Sequence, residues 1–94
     1  MFSFTHLGDV RQGSLQLGTY PTGNLAVQLV ADGEDYATLS VNMQDVTLAA
    51  SEFLFKTYSE NDGLLEAMIA AGTVVVIRIE DTAAGSLPVC QVVS

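Results

Sequence analysis

Positive charge is scarce in this chain. Its 94 residues include three Lys and Arg against eleven Asp and Glu, which gives a formal net charge of −8 at pH 7. Nucleic-acid binders neutralise phosphates with Lys and Arg, and anionic membranes attract the same residues. The composition therefore argues against direct binding of nucleic acid or of a membrane surface, and it favours a protein partner with a basic surface. The charge also has a simpler explanation, which is that it keeps a hydrophobic protein in solution.

Cysteine is nearly absent as well, since Cys90 is the single one and cannot form a disulfide within these 94 residues. Small secreted domains usually depend on several disulfides. Residues 1–6 lack the basic start and the long apolar segment of a signal peptide. No apolar run approaches the roughly 18 residues of a transmembrane helix. We therefore expect a cytoplasmic protein.

Alternating polar and apolar residues predict several short strands in the first part of the chain. Asp32-Gly33 is the clearest hairpin signal, because both residue types tolerate the positive φ of a two-residue turn. Residues 21–24, Pro-Thr-Gly-Asn, predict another turn, since Pro fixes φ while Gly and Asn accept left-handed conformations. The strands predicted here cover residues 2–6, 15–20, 25–30 and 36–41.

The remaining strand signals are less regular. Residues 42–45 predict a loop, residues 46–51 have no clear pattern, and the alternation over residues 53–58 predicts a strand. The β-branched run at residues 73–79 is typical of a strand that is covered on both faces. Residues 83–86 predict a flexible loop, and residues 87–92 predict a last strand. Pro88 near its start indicates an edge position, because proline cannot donate to a neighbouring strand.

One α-helix is predicted from about residue 59 to residue 71. Ser59 is a suitable N-cap, because its hydroxyl can accept a hydrogen bond from the N–H of Asp62. Glu60 and Asp62 place negative charge where the helix dipole favours it, and Gly72 is suited to end the helix. Gly63 in the first turn is unfavourable by about 0.5–1 kcal/mol, and the sequence gives no reason for it. The apolar stripe predicted to lie on the sheet consists of Leu64, Leu65, Met68 and Ile69.

These elements predict one α+β domain over residues 1–94. We expect an antiparallel sheet of five to seven strands with one α-helix packed on one face. No internal repeat, linker or low-complexity segment divides the chain.

Residue combinations that carry catalysis or bind metals are missing from the sequence. His6 and Cys90 lie at opposite ends of the chain and could form a nucleophile pair only if the terminal strands were neighbours. The simpler interpretation is that His6 continues the face of Phe2 and Phe4, and that Cys90 is a small buried hydrophobe. One His and one Cys do not supply the ligands of a zinc site, and no phosphate-binding loop occurs. We therefore expect no catalytic residues, no metal and no cofactor.

The acidic residues gather at three places that are predicted to be exposed. Each place also has a purely structural explanation: solubility of a hairpin tip, compensation of a helix dipole, and protection of a strand end. If the three places converge, they form an acidic face that could occupy a groove built for nucleic acid. The candidate partner-binding residues are Asp32, Glu34 and Asp35 at the hairpin tip, Glu60 and Asp62 at the helix start, and Glu80 and Asp81 at a strand end.

From about residue 17 to residue 92 the chain resembles a family of small acidic bacterial proteins of unknown function, carried on plasmids, integrative elements and phages. The resemblance covers residues 17–20 (LGTY), 23–29 (GNLAVQL), 32–42 (DGEDYATLSVN), 56–61 (KTYSEN), 64–66 (LLE) and 88–90 (PVC), and it departs at residues 72–86. It implies a setting on mobile elements and carries over no catalytic residue. A short acidic protein of such an element is similar in kind, although not in sequence, to inhibitors of host defence such as anti-CRISPR proteins.

Two functions from different classes follow. The first is a non-enzymatic inhibitor that binds a basic groove of a host nucleic-acid-handling defence complex, such as a subunit of a CRISPR effector. The alternative is an accessory protein of a mobile element that acts in its own replication or transfer assemblies. The sequence leaves the identity of the partner and the oligomeric state open.

Overall fold

The computed structural model describes residues 1–93, which form eight β-strands and one short α-helix. The strands make two four-stranded antiparallel sheets. The first sheet contains, in spatial order, β1 (Phe2–His6), β2 (Asp9–Thr19), β3 (Leu25–Ala31) and β4 (Glu34–Thr38). The second contains β5 (Ser40–Val41), β6 (Glu52–Phe55), β8 (Gly85–Val92) and β7 (Val74–Thr82), and helix α1 spans Leu64–Ala70.

The α+β class is confirmed, but the prediction of one sheet with five to seven strands is wrong. The strand predicted at residues 36–41 divides at Leu39, which is fully buried. The N–H of Leu39 donates to the carbonyl of Val27 in the first sheet (2.9 Å), and its carbonyl accepts from the N–H of Lys56, which directly follows β6 (2.7 Å). Because one residue bonds toward both sheets, the chain changes sheet there.

Two-residue turns with positive φ connect β1 to β2 and β3 to β4 in the first sheet. The predicted hairpin at Asp32-Gly33 is confirmed, with φ values of 52° and 84°. A second hairpin turns at Leu7-Gly8, with φ values of 54° and 82°, and it joins β1 to β2. The strand predicted from residue 15 therefore begins already at Asp9. Leu is a rare residue in this conformation, which explains why the sequence pattern did not indicate the turn.

The main core lies between the two sheets and includes residues of both, among them Leu29 and Phe55. A smaller core covers the opposite face of the second sheet, where Val46 and Leu48 from the segment without a sequence pattern pack on Leu54. Because cores lie on both sides of β6, all four of its residues are buried. The strand ends at Phe55 and does not reach residue 58 as predicted.

The helix is shorter than predicted because Gly63 interrupts it. Gly63 has φ = 83°, and it separates a 3₁₀ turn at Ser59–Asn61 from α1. Ser59 itself has φ = 59° and caps nothing with its side chain, so the predicted capping role is wrong. Ile69 of the predicted stripe is 47% exposed, and Ala67 takes its place on the buried side. No helix within residues 1–93 is long and apolar enough to cross a membrane.

The last two strands have the opposite positions to those predicted: β7 lies at the edge of the second sheet and β8 lies inside it. The β-branched run lies in β7, at the edge of the second sheet, and most of its side chains are exposed, with Ile79 at 60%. Strand β8 lies between β6 and β7, so the edge position predicted from Pro88 is wrong. Pairing between β6 and β8 reaches only Val89, so Pro88 lies just beyond it. The missing N–H therefore interrupts no bond between those two strands.

Candidate functional site

The first group of acidic residues lies on the β3–β4 hairpin of the first sheet. Asp32 is fixed in the turn: its N–H donates to the carbonyl of Gln12 (2.8 Å), and its carboxylate accepts from the N–H of Gln12 (3.2 Å). The guanidinium of Arg11 lies 3.6 Å from the same carboxylate. Glu34 and Asp35 are exposed and have no ion-pair partner in the described part of the chain.

A buried histidine joins this hairpin to the second group. His6 Nδ1 lies 2.7 Å from the hydroxyl of Tyr36, and His6 Nε2 lies 2.8 Å from the backbone carbonyl of Asp62. A carbonyl oxygen can only accept, so Nε2 carries a proton, and in the neutral ring Nδ1 accepts from the Tyr36 hydroxyl. The imidazole thus links Tyr36, which follows Glu34 and Asp35 on the hairpin, to the backbone of Asp62. This bridge connects the elements that carry the first two predicted groups, and it runs through no acidic side chain.

Glu60 belongs to this second group, but its charge is already neutralised. Lys56 Nζ lies 2.8 Å from Glu60 Oε1, four residues along the chain. The hydrogen bond from Lys56 holds the pKa of Glu60 below its usual range, and it raises the pKa of Lys56. The carboxylate of Asp62 is exposed and has no ion-pair partner within residues 1–93.

The third group lies elsewhere on the surface. Glu80 is paired in register with Leu87, which belongs to the smaller core on the opposite face of the second sheet. Arg78 donates hydrogen bonds to Glu80 (2.7 Å) and to Glu52 (2.9 Å). Both hydrogen bonds raise the pKa of Arg78, and the hydrogen bond to Glu52 has the larger effect. The hydrogen bond from Arg78 also lowers the pKa of Glu52. Asp81 accepts a hydrogen bond from the hydroxyl of Ser86 (2.7 Å).

Within residues 1–93, the Asp, Glu, Lys and Arg side chains that the ion pairs leave unpaired are all negative. Arg11, Lys56 and Arg78 each lie within 4 Å of a carboxylate, and together they pair with five of the eleven acidic residues. Eleven minus five leaves six acidic residues without a cationic partner in the described region, and all six are exposed. They are Glu34, Asp35, Asp45, Asp62, Glu66 and Asp81.

Two of these six residues were missed at the sequence level. Asp45 lies in the loop that directly precedes Val46, a residue of the smaller core. Glu66 lies in the first turn of α1 on the side that faces solvent. Glu66 lines a small cavity together with Asp62. We therefore define the acidic surface as Glu34, Asp35, Asp62 and Glu66. A helix pattern that places Glu66 opposite the buried stripe was the one available signal for its exposure.

Within residues 1–93, His6 and Cys90 do not form the nucleophile pair that the sequence left open. Both ring nitrogens of His6 are bonded as described above, and the nearest polar contact of Cys90 Sγ is the carbonyl of Pro88 at 4.0 Å. No hydrogen bond joins the two residues within the described part of the chain. Within residues 1–93 no group of three or more His, Cys, Asp or Glu is placed to hold a metal ion.

The thiol of Cys90 should resist modification in the folded protein. Burial raises its pKa to about 12, so almost no thiolate, the reactive form, exists at neutral pH. We expect a disulfide reagent such as Ellman's reagent to react completely in concentrated guanidinium chloride, and in native buffer only as fast as the protein opens. Reaction within the mixing time in native buffer would contradict the buried position of this strand.

No protein-family model, curated protein or solved structure matches the chain.

Proposed function

We propose that this chain is a non-enzymatic inhibitor that uses its acidic surface to bind a basic groove of a host nucleic-acid-handling defence complex, as anti-CRISPR proteins do. The observation that carries the proposal is the charge pattern: six exposed carboxylates have no cationic partner within residues 1–93, while all three cations are already paired. Such a surface repels phosphates and attracts the Lys- and Arg-lined channels that hold them.

The arrangement of four of the six carboxylates favours a specific binding face over a general role of the charge in solubility. His6 connects the hairpin of Glu34 and Asp35, through Tyr36, to the backbone of Asp62, and Glu66 lines the same cavity as Asp62. Charges held by a rigid scaffold pay less ordering entropy on binding than charges on free loops. The proposal places the protein in the host cytoplasm, where it would block nucleic acid or a partner subunit from the groove.

The test is capture of the tagged protein's partner from a CRISPR-bearing host, with phage plaquing as the functional readout. The double variant Glu34→Gln/Asp35→Asn is expected to weaken partner binding by about tenfold, mainly through slower association. Binding of the unmodified protein should also fall as salt rises, because the Debye length shrinks from about 10 Å at 0.1 M to about 3 Å at 1 M. Association rates are measured by surface plasmon resonance on the captured complex.

A matched control separates a defined face from net charge. Asp45→Asn/Asp81→Asn also removes two exposed, unpaired carboxylates but leaves the acidic surface intact. We expect this variant to keep its affinity within about twofold, with stability unchanged in both variants. Equal losses in the two variants would show that charge alone matters. Capture of replication or transfer proteins of the mobile element itself, in place of a host complex, would support the accessory function.

A further inference from the structure

Strand β1 forms one edge of the first sheet, and part of its backbone points away from the sheet. In an antiparallel ladder, pairs of residues that exchange two hydrogen bonds alternate with pairs that exchange none. The two-residue turn makes its closing pair, His6 and Asp9, an exchanging pair. Ser3 and Thr5 lie at the alternate positions, so their N–H and C=O groups point toward the free side of β1.

The hydrogen bonds of Gln12 agree with this alternation. Gln12 lies opposite Ser3, yet its N–H donates to the carboxylate of Asp32 (3.2 Å), and its carbonyl accepts from the N–H of Asp32 (2.8 Å). Both backbone groups of Gln12 therefore point away from β1. Outside the strand ladders, no backbone hydrogen bond within residues 1–93 reaches Ser3 or Thr5. The edge thus offers two N–H donors and two C=O acceptors that have no backbone partner in the described part of the chain.

A groove of about 250 Å³ lies beside these groups. One wall is formed by residues 3–5 of β1, and the other is formed by Ala67, Ala70 and Ala71 of α1. Because consecutive side chains of a strand point to opposite faces, a groove that contacts three consecutive residues lies along the edge of the strand. The wall from the helix consists of alanines, so no long side chain from these positions fills the space next to β1.

Strand β1 also lacks the features that usually protect an edge, which are charged side chains, proline and bulges. It contains no Asp, Glu, Lys, Arg or Pro, and it pairs with β2 without a register shift. The other edges differ. Strand β4 carries Glu34 and Asp35, the ladders of β4 and β7 are irregular, and β5 has two residues. The edge of β1 is therefore the one best suited to receive a further strand.

We propose that this groove binds an extended, basic segment of the partner, which pairs with β1 as an added strand; the inference rests on the function proposed above. Strand addition obtains affinity from main-chain hydrogen bonds and specificity from alternate side chains. In an antiparallel arrangement, the residues opposite Ser3 and Thr5 bond to β1. The residue opposite Phe4 points toward α1, because Phe4 itself packs in the main core with Ala67. A small apolar side chain suits that position.

The charge beside the groove favours a basic segment over a second copy of this chain. Residues four apart share one side of a helix, so Glu66 flanks the groove one turn before Ala70. The carbonyl of Asp62 lies 2.8 Å from His6 Nε2, which places the start of α1 beside the end of β1. A lysine opposite His6, two positions before the apolar residue of the segment, therefore lies near both unpaired carboxylates. A second copy would instead bring a further charge of −8.

The test is a titration of the full, isotope-labelled chain with acetyl-Thr-Lys-Thr-Val-Thr-amide at low ionic strength. We expect saturable shifts in proton–nitrogen correlation spectra, with the amide protons of Ser3 and Thr5 moving to lower field because they gain acceptors. Two peptides with a single methylated nitrogen test the pairing. Methylation of the central threonine, whose N–H faces β1, should weaken binding about tenfold. Methylation of the valine, whose N–H faces away from β1, should change binding little.

Matched substitutions make the test specific to the groove. Ala70→Leu narrows the groove and should weaken the peptide about tenfold, whereas Ala50→Leu, outside the groove, should leave binding unchanged. Both alanines are exposed, so both variants should fold. Norleucine in place of the lysine should weaken binding about threefold, the size of one exposed ion pair. Glu66→Gln should remove this difference between the two peptides.

Four results would overturn the proposal. Absence of saturable shifts at Ser3 and Thr5 would mean that the edge accepts no strand. Equal effects of the two methylations would mean that the peptide does not pair with β1. Equal binding of the lysine and norleucine peptides would mean that the segment need not be basic. Shifts of Ser3 and Thr5 that depend on protein concentration alone would mean that a second copy pairs there. The titration uses no host protein and the capture experiment changes no residue of the groove, so either proposal can fail while the other stands.

Discussion

Replacing Phe55 by alanine is expected to lower the free energy of unfolding by about 3–5 kcal/mol, and replacing Leu54 by alanine to lower it by about 2–5 kcal/mol. Both residues are 0% exposed, but they face opposite sides of β6. Phe55 contacts the main core between the sheets, and Leu54 contacts the smaller core under Val46. Since a domain of this kind is stable by only about 5–15 kcal/mol, either change removes a large fraction of the total.

Urea denaturation measures these losses, with Ile79→Ala as the control from the neighbouring part of the same sheet. Ile79 is 60% exposed in β7, so its truncation should cost less than about 1 kcal/mol. The Leu54 variant discriminates between architectures, because one sheet covered by a helix on one face would leave every second residue of β6 uncovered. The two-core arrangement would be contradicted if Leu54→Ala lowered the free energy of unfolding as little as Ile79→Ala does, while Phe55→Ala lowered it strongly.

Local signals predicted the first sheet better than the second. Asp32-Gly33 specifies its hairpin through residue types alone, and the alternation over residues 2–6 matches β1 without error. The change of sheet at Leu39 has no such signal, because its cause is a pair of hydrogen bonds to residues that are 12 and 17 positions away along the chain, Val27 and Lys56. Burial of both faces of β6 likewise depends on the residues around Val46, which have no pattern of their own.

The β-branched run illustrates a limit of composition as evidence for burial. Val75, Ile77 and Ile79 are residue types that usually mark a covered strand, yet they are 44%, 44% and 60% exposed. The strand order places them at an edge, and strand order depends on pairing between distant segments. The register of β7 shifts between Val76 and Arg78, and such an irregularity makes an edge a poorer template for further strands.

The positions of the acidic residues were predictable one by one, but their partners were not. His6 contacts Tyr36, which is 30 positions away in the sequence, and Asp62, which is 56 positions away. Arg78 binds Glu52 across 26 positions. The pairs of Arg11 with Asp9, Lys56 with Glu60 and Arg78 with Glu80 are local, because their partners lie two to four positions apart in the sequence. Ion pairing therefore removes Asp32, Glu60 and Glu80 from the unpaired set, and exposure adds Asp45 and Glu66 to it.

The backbone conformation of Gly63 explains why a glycine occurs within the predicted helix. A glycine in the first turn of a predicted helix costs stability, and the cost disappears when φ is positive, because glycine adopts that conformation without strain. Because Gly63 adopts this conformation, it separates the 3₁₀ turn from α1, which begins only at Leu64. Asn61, a polar residue at the start of the predicted helix, is fully buried in the 3₁₀ turn.

Replacing Asn61 by aspartate is expected to cost about 3–5 kcal/mol at neutral pH, the typical effect of an uncompensated buried charge. The introduced carboxylate would lie against the Thr38 carbonyl, which now accepts from Asn61 Nδ2 at 2.7 Å, and beside the carboxylates of Asp62 and Glu66. Burial and these neighbours raise the pKa of the introduced group above its value near 4 in the unfolded chain. The loss is therefore full above the folded-state pKa, and it shrinks as pH falls toward the unfolded-state value, where the protonated group can donate to Thr38.

The matched control is Asn42→Asp, which adds the same charge. Asn42 Oδ1 accepts from the hydroxyl of Thr22 (3.2 Å) and from Asn24 Nδ2 (3.0 Å), so a carboxylate in its place keeps both hydrogen bonds. Its cost should stay within about 0.5 kcal/mol. Denaturation of both variants and of the unmodified protein is compared between about pH 4 and pH 7. A cost for Asn61→Asp that is equal to that of the control, or that grows toward low pH, would show that the side chain of Asn61 is not buried in the folded protein.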